Sequence, residues 1–360
     1  MPTMSAPAAF AFFASSPSQK IELSDGCQNH KEGIQKILEI FDQEKNNPGS
    51  ADLIHRVVHG GTKYRRAALL DQEVKQFIRD MIPLARTHHP ASLACIEEIS
   101  EHFPEIPQAV VFDTSFHQTL PEYAWRYALP RKISDQYAIR RYGFHGISPQ
   151  SVVKQAASFL KTPVNKLNLI TIHLGNGASI SAIKKGICVD TTMGMTPLEG
   201  LVMGTRPGDL DPGILTLLAR EGWNQEALET MLNQDSGMKG LCGTNDFREI
   251  LQNKEEGNEE AEMALELYCY RVRKTIGSFG TVIGPVDALV FTGGVGENVS
   301  WVRKRSVRGM EWMNIQLDPN VNDYAEAPCA IYSKDSQTKI LVLPSEEEWE
   351  MASQAAELIL

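Results

Sequence analysis

Two arginines carry the first hint of chemistry in this chain. Arg56 lies in HRVVHGG (residues 55–61) and Arg206 in MGTRPG (203–208). A guanidinium stays charged at any working pH and presents a planar fork of donors, which a carboxylate or a phosphoryl group can accept with two oxygens. The neighbouring glycines favour close approach of such a ligand. A lone arginine also serves in surface or interdomain ion pairs, so position alone leaves both uses open. Gly175 and Gly177, in HLGNGAS (173–179), follow an apolar run. They are expected to leave backbone N–H groups uncovered at a strand end, where an anion can approach as phosphates do in glycine-rich loops. Strand, glycine turn, strand and arginine loop together suggest a site that handles phosphate.

The elements that must hold these residues are legible around 167–212. Residues 167–174 are apolar and β-rich, long enough for one buried strand. Asn176-Gly177 reads as a tight turn with positive φ, 180–183 as the return strand, Lys184-Lys185-Gly186 as a second turn, and 187–189 as a third strand. Elsewhere Ile34, Ile37, Leu38 and Phe41 share one helical face. Residues 53–59 read as a strand ending at Gly60-Gly61. Two amphipathic helices are expected at 72–82, stopped by Pro83, and at 91–102. A strand over 109–113 ends on Asp113, and 114–149 is rich in aromatics and loops. Further on, the pattern predicts helices at 224–232, with Asn224 as N-cap, and at 260–276. A strand at 288–292 runs into Gly293-Gly294-Val295-Gly296-Glu297-Asn298 and then a helix. A strand at 340–343 and a terminal helix at 347–360 complete the chain. Strands alternating with helices argue an α/β fold. The GGVG spacing is that of neither a Walker loop nor a dinucleotide fingerprint.

Composition bounds the function. At 360 residues, two domains are the natural expectation. A net charge of −10 gives no basic surface for nucleic acid or anionic membranes, though a few local arginines suffice for an anionic substrate. The six cysteines are scattered, without metal-type spacing, as free thiols are in a reducing cytoplasm. No run approaches the ~18 apolar residues of a membrane span. No Lys or Arg precedes the apolar PAAFAFFASS, so it does not read as a secretion signal.

The motifs HRVVHGG, VFDTSFHQTLPEYAWRYALP, RRYGFHG, HLGNGAS and TPLEGLVMGTRPGDLDP, in this order, resemble the acetate kinase family over the chain from about residue 31 onward. The resemblance implies a two-domain α/β fold of the actin/hexokinase/heat-shock-chaperone type (ribonuclease H-like). The first domain would comprise 1–115 plus 349–360, the second 116–348. It implies ATP:acetate phosphotransfer by direct in-line displacement, with Mg2+ as cofactor and ATP as co-substrate, in a cytoplasmic homodimer. Arg56, Arg206 and His145 would stabilise the transferring phosphoryl group. Asp113 would serve magnesium and the organisation of the site, and Glu347 would be a magnesium-linked carboxylate. Val58, Phe144 and Pro197, with Arg56, would receive acetate. His173, Gly175, Asn176 and Gly177 would lie near the nucleotide phosphates, and Asp246, Phe247 and Arg248 near adenosine. Gly294, Val295, Gly296, Glu297 and Asn298 would form a loop closing over the nucleotide. Without the resemblance, His145 is an ordinary core or surface histidine, Asp113 a cap, and Glu347 part of a first helical turn favoured by the helix dipole.

The resemblance also has departures. The family's N-terminal strand and N-x-G-S-S-S-L-K loop find no recognisable counterpart in residues 1–30, so the expectation is a missing or replaced phosphate-binding segment. In LARTHHP, Thr87 replaces a usual Leu and His89 a usual Asn, and Pro149 replaces a usual His. Thr87 bears on acid preference, which leaves propionate or butyrate kinase as an alternative. A relative that binds nucleotide or dimerises without transfer is the other.

Overall fold

The computed structural model describes residues 33, 53–86 and 88–359. Apart from Gly33, the helix expected over 31–41 lies outside the described residues, as do the N-terminal segment and Thr87. The chain divides into two compact units, one ending at Phe112 and completed by Glu348–Leu360, the other Asp113–Glu347.

In the first unit, β1 (Leu53–Val57) runs parallel to β3 (Gln108–Phe112), whose other edge pairs antiparallel with β2 (Ala68–Leu69). Val57, Val110 and Phe112 pack with Val74 and Ile78 of the helix Gln72–Asp80 and with Leu93 and Ile96 of the helix His89–His102. The first helix starts where Asp71 accepts from Val74 N–H at 2.7 Å. It ends two residues before the expected limit, and Pro83 sits inside the following 3-10 turn Ile82–Leu84. β1 also stops short of residue 59. The Gly61 N–H donates to His59 Nδ1 at 3.0 Å, and Gly61 adopts φ +58°, which turns the chain out of the ladder.

The second unit is built on six strands, β4 (Leu169–Leu174), β5 (Ala178–Lys184), β6 (Ile187–Thr191), β7 (Ala288–Thr292), β8 (Cys329–Ala330) and β9 (Lys339–Val342), in the order β6-β5-β4-β7-β9-β8. β4, β7 and β9 are parallel, whereas the β4-β5-β6 meander is antiparallel. Val152, Val153 and Ala156 of the helix Ile147–Phe159 pack on Leu169, Val290 and Leu341. The helix Glu259–Ile283 packs against β5 and β4. A strand covered on both faces reads as a continuous apolar run rather than an alternation. Hence Leu169, Ile170 and Ile172 are all fully buried, each stabilising the fold by about 1.5–3 kcal/mol. The first change of character is His173, half-buried at the carboxyl end of β4. The next residue, Leu174, returns to the core.

The two turns of the meander have different outcomes. Lys185 and Gly186 take φ +51° and +79°, the pair of positive angles that a two-residue hairpin requires. The Asn176-Gly177 expectation needs correction. The connection is the three residues 175–177, none of them at positive φ, and it is closed by Gly175 N–H donating to Gly177 O at 2.9 Å. The Gly175 N–H is therefore committed inside the turn rather than left for an anion.

Other elements extend the reading. Residues 293–298, expected as a loop, form a helical turn with Gly293 at φ +78°. The long helix runs to Ile283 instead of residue 276 and ends at Gly284. The 114–149 segment holds the turn Ser115–Thr119 and the helices Glu122–Trp125 and Arg131–Gln136. Pro149 is accommodated in the first turn of its helix, where its missing N–H is no loss. Asn224 caps the helix Gln225–Gln234 as expected, accepting from Ala227 N–H at 2.8 Å.

Candidate phosphoryl-transfer site

Within the second unit, Arg206, His145 and Gly177 meet. A side chain on Gly177 would place its Cβ 2.8 Å from Arg206 Nη2 and 2.9 Å from His145 Nε2. The glycine is thus required by close approach, and two nitrogen donors converge over its backbone. His145 itself adopts φ +57°, a left-handed conformation that few residues other than glycine take. Its Nδ1 lies 3.0 Å from Ser179 Oγ, and its ring lies 4.7 Å from that of His173, whose Nδ1 meets Ser148 Oγ at 2.8 Å. Its Nε2 edge lies beside Arg206, and the tautomer in which Ser179 donates to Nδ1 carries the ring proton there. Gly146 follows, with N–H donating to Asp113 O at 2.8 Å, so close that a Cβ at residue 146 would lie 2.2 Å from that oxygen.

Arg206 is held by its loop. Its Nη1 donates to Pro197 O at 2.8 Å. Asp209 ties the loop back to Gly200, through Gly200 N–H to Oδ1 at 2.8 Å and its own N–H to Gly200 O at 2.9 Å. Met203 N–H donates to Arg206 O, while Met238 and Lys239 donate to Met203 O and Gly204 O from the helix Gly237–Cys242. Burial lowers the Arg206 guanidinium to about 10, with no carboxylate offsetting it. Among the described residues no acidic side chain pairs with Arg206. A half-buried cation held by a carbonyl rather than by an ion pair favours an anion brought to it.

The Pro197 loop has its own anchor. Arg141 Nη1 donates to the carbonyls of Thr191, Thr192 and Met193 at 2.8–3.2 Å, and Nη2 pairs with Glu199 at 2.5 Å. The other Glu199 oxygen accepts the Tyr127 hydroxyl, which in turn accepts Met195 N–H at 3.0 Å. Phe144 is 2% exposed.

The expected nucleotide segments are linked to the same end of the sheet. Asn245 Nδ2 donates to Asn176 Oδ1 at 2.9 Å, and Gly293 lies against the Leu174 carbonyl, where a Cβ would come within 2.8 Å. Glu297 accepts from Gly293 and Ser345 N–H at 2.9 and 3.2 Å, and burial raises its carboxyl group. Asn298 donates to Gly294 O, and Gly294 is open on its outer side. The 246–248 stretch opens the helix Phe247–Glu255. Phe247 is buried edge-on against Tyr268 at 5.1 Å. Asp246 caps its helix, and its fork with Arg248 holds its carboxyl at about 2.

Arg56 and Val58 belong to the first unit, Arg56 exposed on β1 and Val58 just beyond it. Asp113 is 2% exposed at the end of β3, and Glu347 opens the last helix with one carboxylate oxygen buried. No group of three or more His, Cys, Asp or Glu side chains suited to a metal occurs among the described residues. Among them, no helix is long and apolar enough to cross a membrane. Sequence reasoning passed over Ser148, Ser179, Arg141, Tyr127 and Glu199. Ser179, Arg141, Tyr127 and Glu199 lie inside the quoted motifs, where a polar residue within a buried stretch was the available signal.

Fold and site together define an α/β phosphotransferase. The sequence profile of the Acetokinase family matches residues 3–353. An acetate kinase from Sulfurovum sp. is 46% identical over 348 residues, spanning 95% of this chain and 88% of its own length. The crystal structure of Porphyromonas gingivalis acetate kinase superimposes with a TM-score of 0.88 at 39% identity, covering 95% of this chain and 88% of that one. A propionate kinase from Francisella tularensis gives 0.86 at 39% identity, over 90% and 83%. The chain belongs to the acetokinase family and has its actin/hexokinase-like fold. The expected loss of an N-terminal phosphate-binding segment lies outside the described residues.

Proposed function

We infer that the chain transfers the γ-phosphoryl group of ATP to acetate, reversibly, by in-line displacement. An acetate oxygen forms the new bond to phosphorus as the bond to the β-phosphate oxygen breaks, releasing acetyl phosphate and ADP. The observation that carries this reading is an Arg206 lowered by burial, with no acidic partner among the described residues, beside His145 over the bare backbone of Gly177. Charge on the transferring group is spread over its equatorial oxygens, so preplaced donors supply most of the catalysis. In this reading Arg206 and the His145 Nε2–H donate to those oxygens, and Arg56 holds the acetate carboxylate. Val58, Phe144 and Pro197 are the candidate residues for selecting its methyl group. His173, Gly175, Asn176 and Gly177 lie along the phosphates, with the backbone of 246–248 and 294–298 flanking the nucleoside. No side-chain nucleophile is needed.

A nucleotide-borne magnesium ion needs only one or two carboxylates besides phosphate and water. Asp113, buried just beyond β3, and Glu347, half-buried at the start of the last helix, are the carboxylates that would serve that role. When bound, the ion would neutralise charge on the β- and γ-phosphates. The two compact units serve as the two domains. A cytoplasmic homodimer completes the reading, and light scattering on the purified chain tests the dimer.

The deciding experiment is acyl phosphate formation with ATP, magnesium and acetate, trapped with hydroxylamine. Acetate-dependent product is expected, with propionate and butyrate slower. A folded chain that yields none overturns the reading.

A further inference from the structure

His117, in the turn Ser115–Thr119, is fully buried and lies beneath the segment that carries Phe144 and His145. Its Nε2 is 3.0 Å from Phe144 O. A carbonyl only accepts, so Nε2 carries the proton and Nδ1 is left as an acceptor, 3.3 Å from the Cys188 thiol on β6. Thr119 Oγ1 donates to Cys188 O at 2.7 Å, fixing this turn to the sheet. Gly143, at φ +76°, packs so closely that a Cβ there would lie 2.6 Å from the His117 ring. Burial brings the imidazole down to about 4, and Asp113 and Arg141 are the charged groups that act on it. It is neutral throughout the working range. Two residues beyond Gly143, His145 holds its left-handed backbone, which persists only where the surroundings impose it.

We propose that His117 is a positioning residue: its Nε2–H to the Phe144 carbonyl sets the backbone that aims the His145 imidazole at Arg206 and shapes the Phe144 side of the acid pocket. This rests on the phosphotransfer reading for its catalytic meaning, but the geometry it asserts can be measured without turnover.

The test compares H117Q, H117N and C188A in the full chain by nitrogen-15 histidine spectra, with the His145 signals assigned from H145N. A glutamine amide reaches the Nε2 position and can still donate to Phe144 O, whereas an asparagine amide reaches only toward Cys188. H117Q and C188A are expected to keep the His145 resonances of the parent chain, and H117N to shift or double them. In acyl phosphate assays H117N should lose ~10- to 100-fold in kcat with the ATP KM unchanged, and H117Q should recover most of it. Unmoved His145 signals in H117N would overturn the proposal, as would equal damage from H117Q or C188A, which would mark generic packing. If H117N does not fold, H117Q and C188A still decide, since loss of the His145 signals in either contradicts the asserted bond. A parent chain without turnover would sink the phosphotransfer reading alone, because the spectra still report on the geometry.

Discussion

At the scale of residues, Arg206 is the side chain with most at stake. Replacing it with alanine removes a preplaced donor to developing charge and should lower turnover by about 10²–10³-fold. The melting curve should hold, since the guanidinium is partly desolvated with no ion pair among the described residues. Lysine should restore little, because an ammonium on a flexible stem lacks the fork that reaches Pro197 O and the Gly177 side at once. Steady-state rates on both variants check this, and wild-type turnover in the alanine variant would remove Arg206 from the chemistry. G177A probes the same point from below. Its methyl group would press on both Arg206 and His145, so kcat should fall ~10- to 100-fold by displacing them. An unaltered kcat would mean the donors need not converge there.

At the scale of elements, β4 was readable because a strand covered on both faces is a continuous apolar run, and it ends at Leu174, before the glycine turn. The Lys185-Gly186 turn was readable because only one backbone geometry joins adjacent strands in two residues. G186A should therefore destabilise the fold by about 1 kcal/mol or more, from φ +79° and from a Cβ placed 2.5 Å from Val164 Cγ1. Turnover per folded molecule should stay at the parent value, and urea titration paired with rate measurement separates the two. The 175–177 turn misled the same rule. There glycine answers to side chains arriving from residues 145 and 206, far away in sequence, and local pattern carries no record of them. Short helices such as Gly237–Cys242 were missed for a related reason. Its hydrogen bonds to Met203 and Gly204 are tertiary, and six residues are too few to show a period.

At the scale of the molecule, buried histidines set the acid limit. His59 and His117 are lowered from 6.5 to about 3 and about 4, in both cases chiefly by burial. Below pH 6.5 the unfolded chain takes up protons that the folded one refuses, so stability is whole above that value and falls as the pH drops toward 4. The loss should be of the order of a few kcal/mol. Urea midpoints at pH 7, 5.5 and 4.5 should decline in that order, and a flat series would show that these side chains are solvated. The alternation of strands with helices had bounded the whole correctly as an α/β chain. Neither composition nor period could reveal that His117 and Cys188 share one buried contact, because 71 positions separate them. The division of the chain has a last consequence, one of timing. The unit Asp113–Glu347 is continuous, whereas the other is closed by Glu348–Leu360. On a ribosome adding ~5–20 residues per second, the synthesis of the inner unit therefore holds the strands of its host for tens of seconds before residues 348–360 can join them. A stretch distant in sequence is thus a part of the first unit.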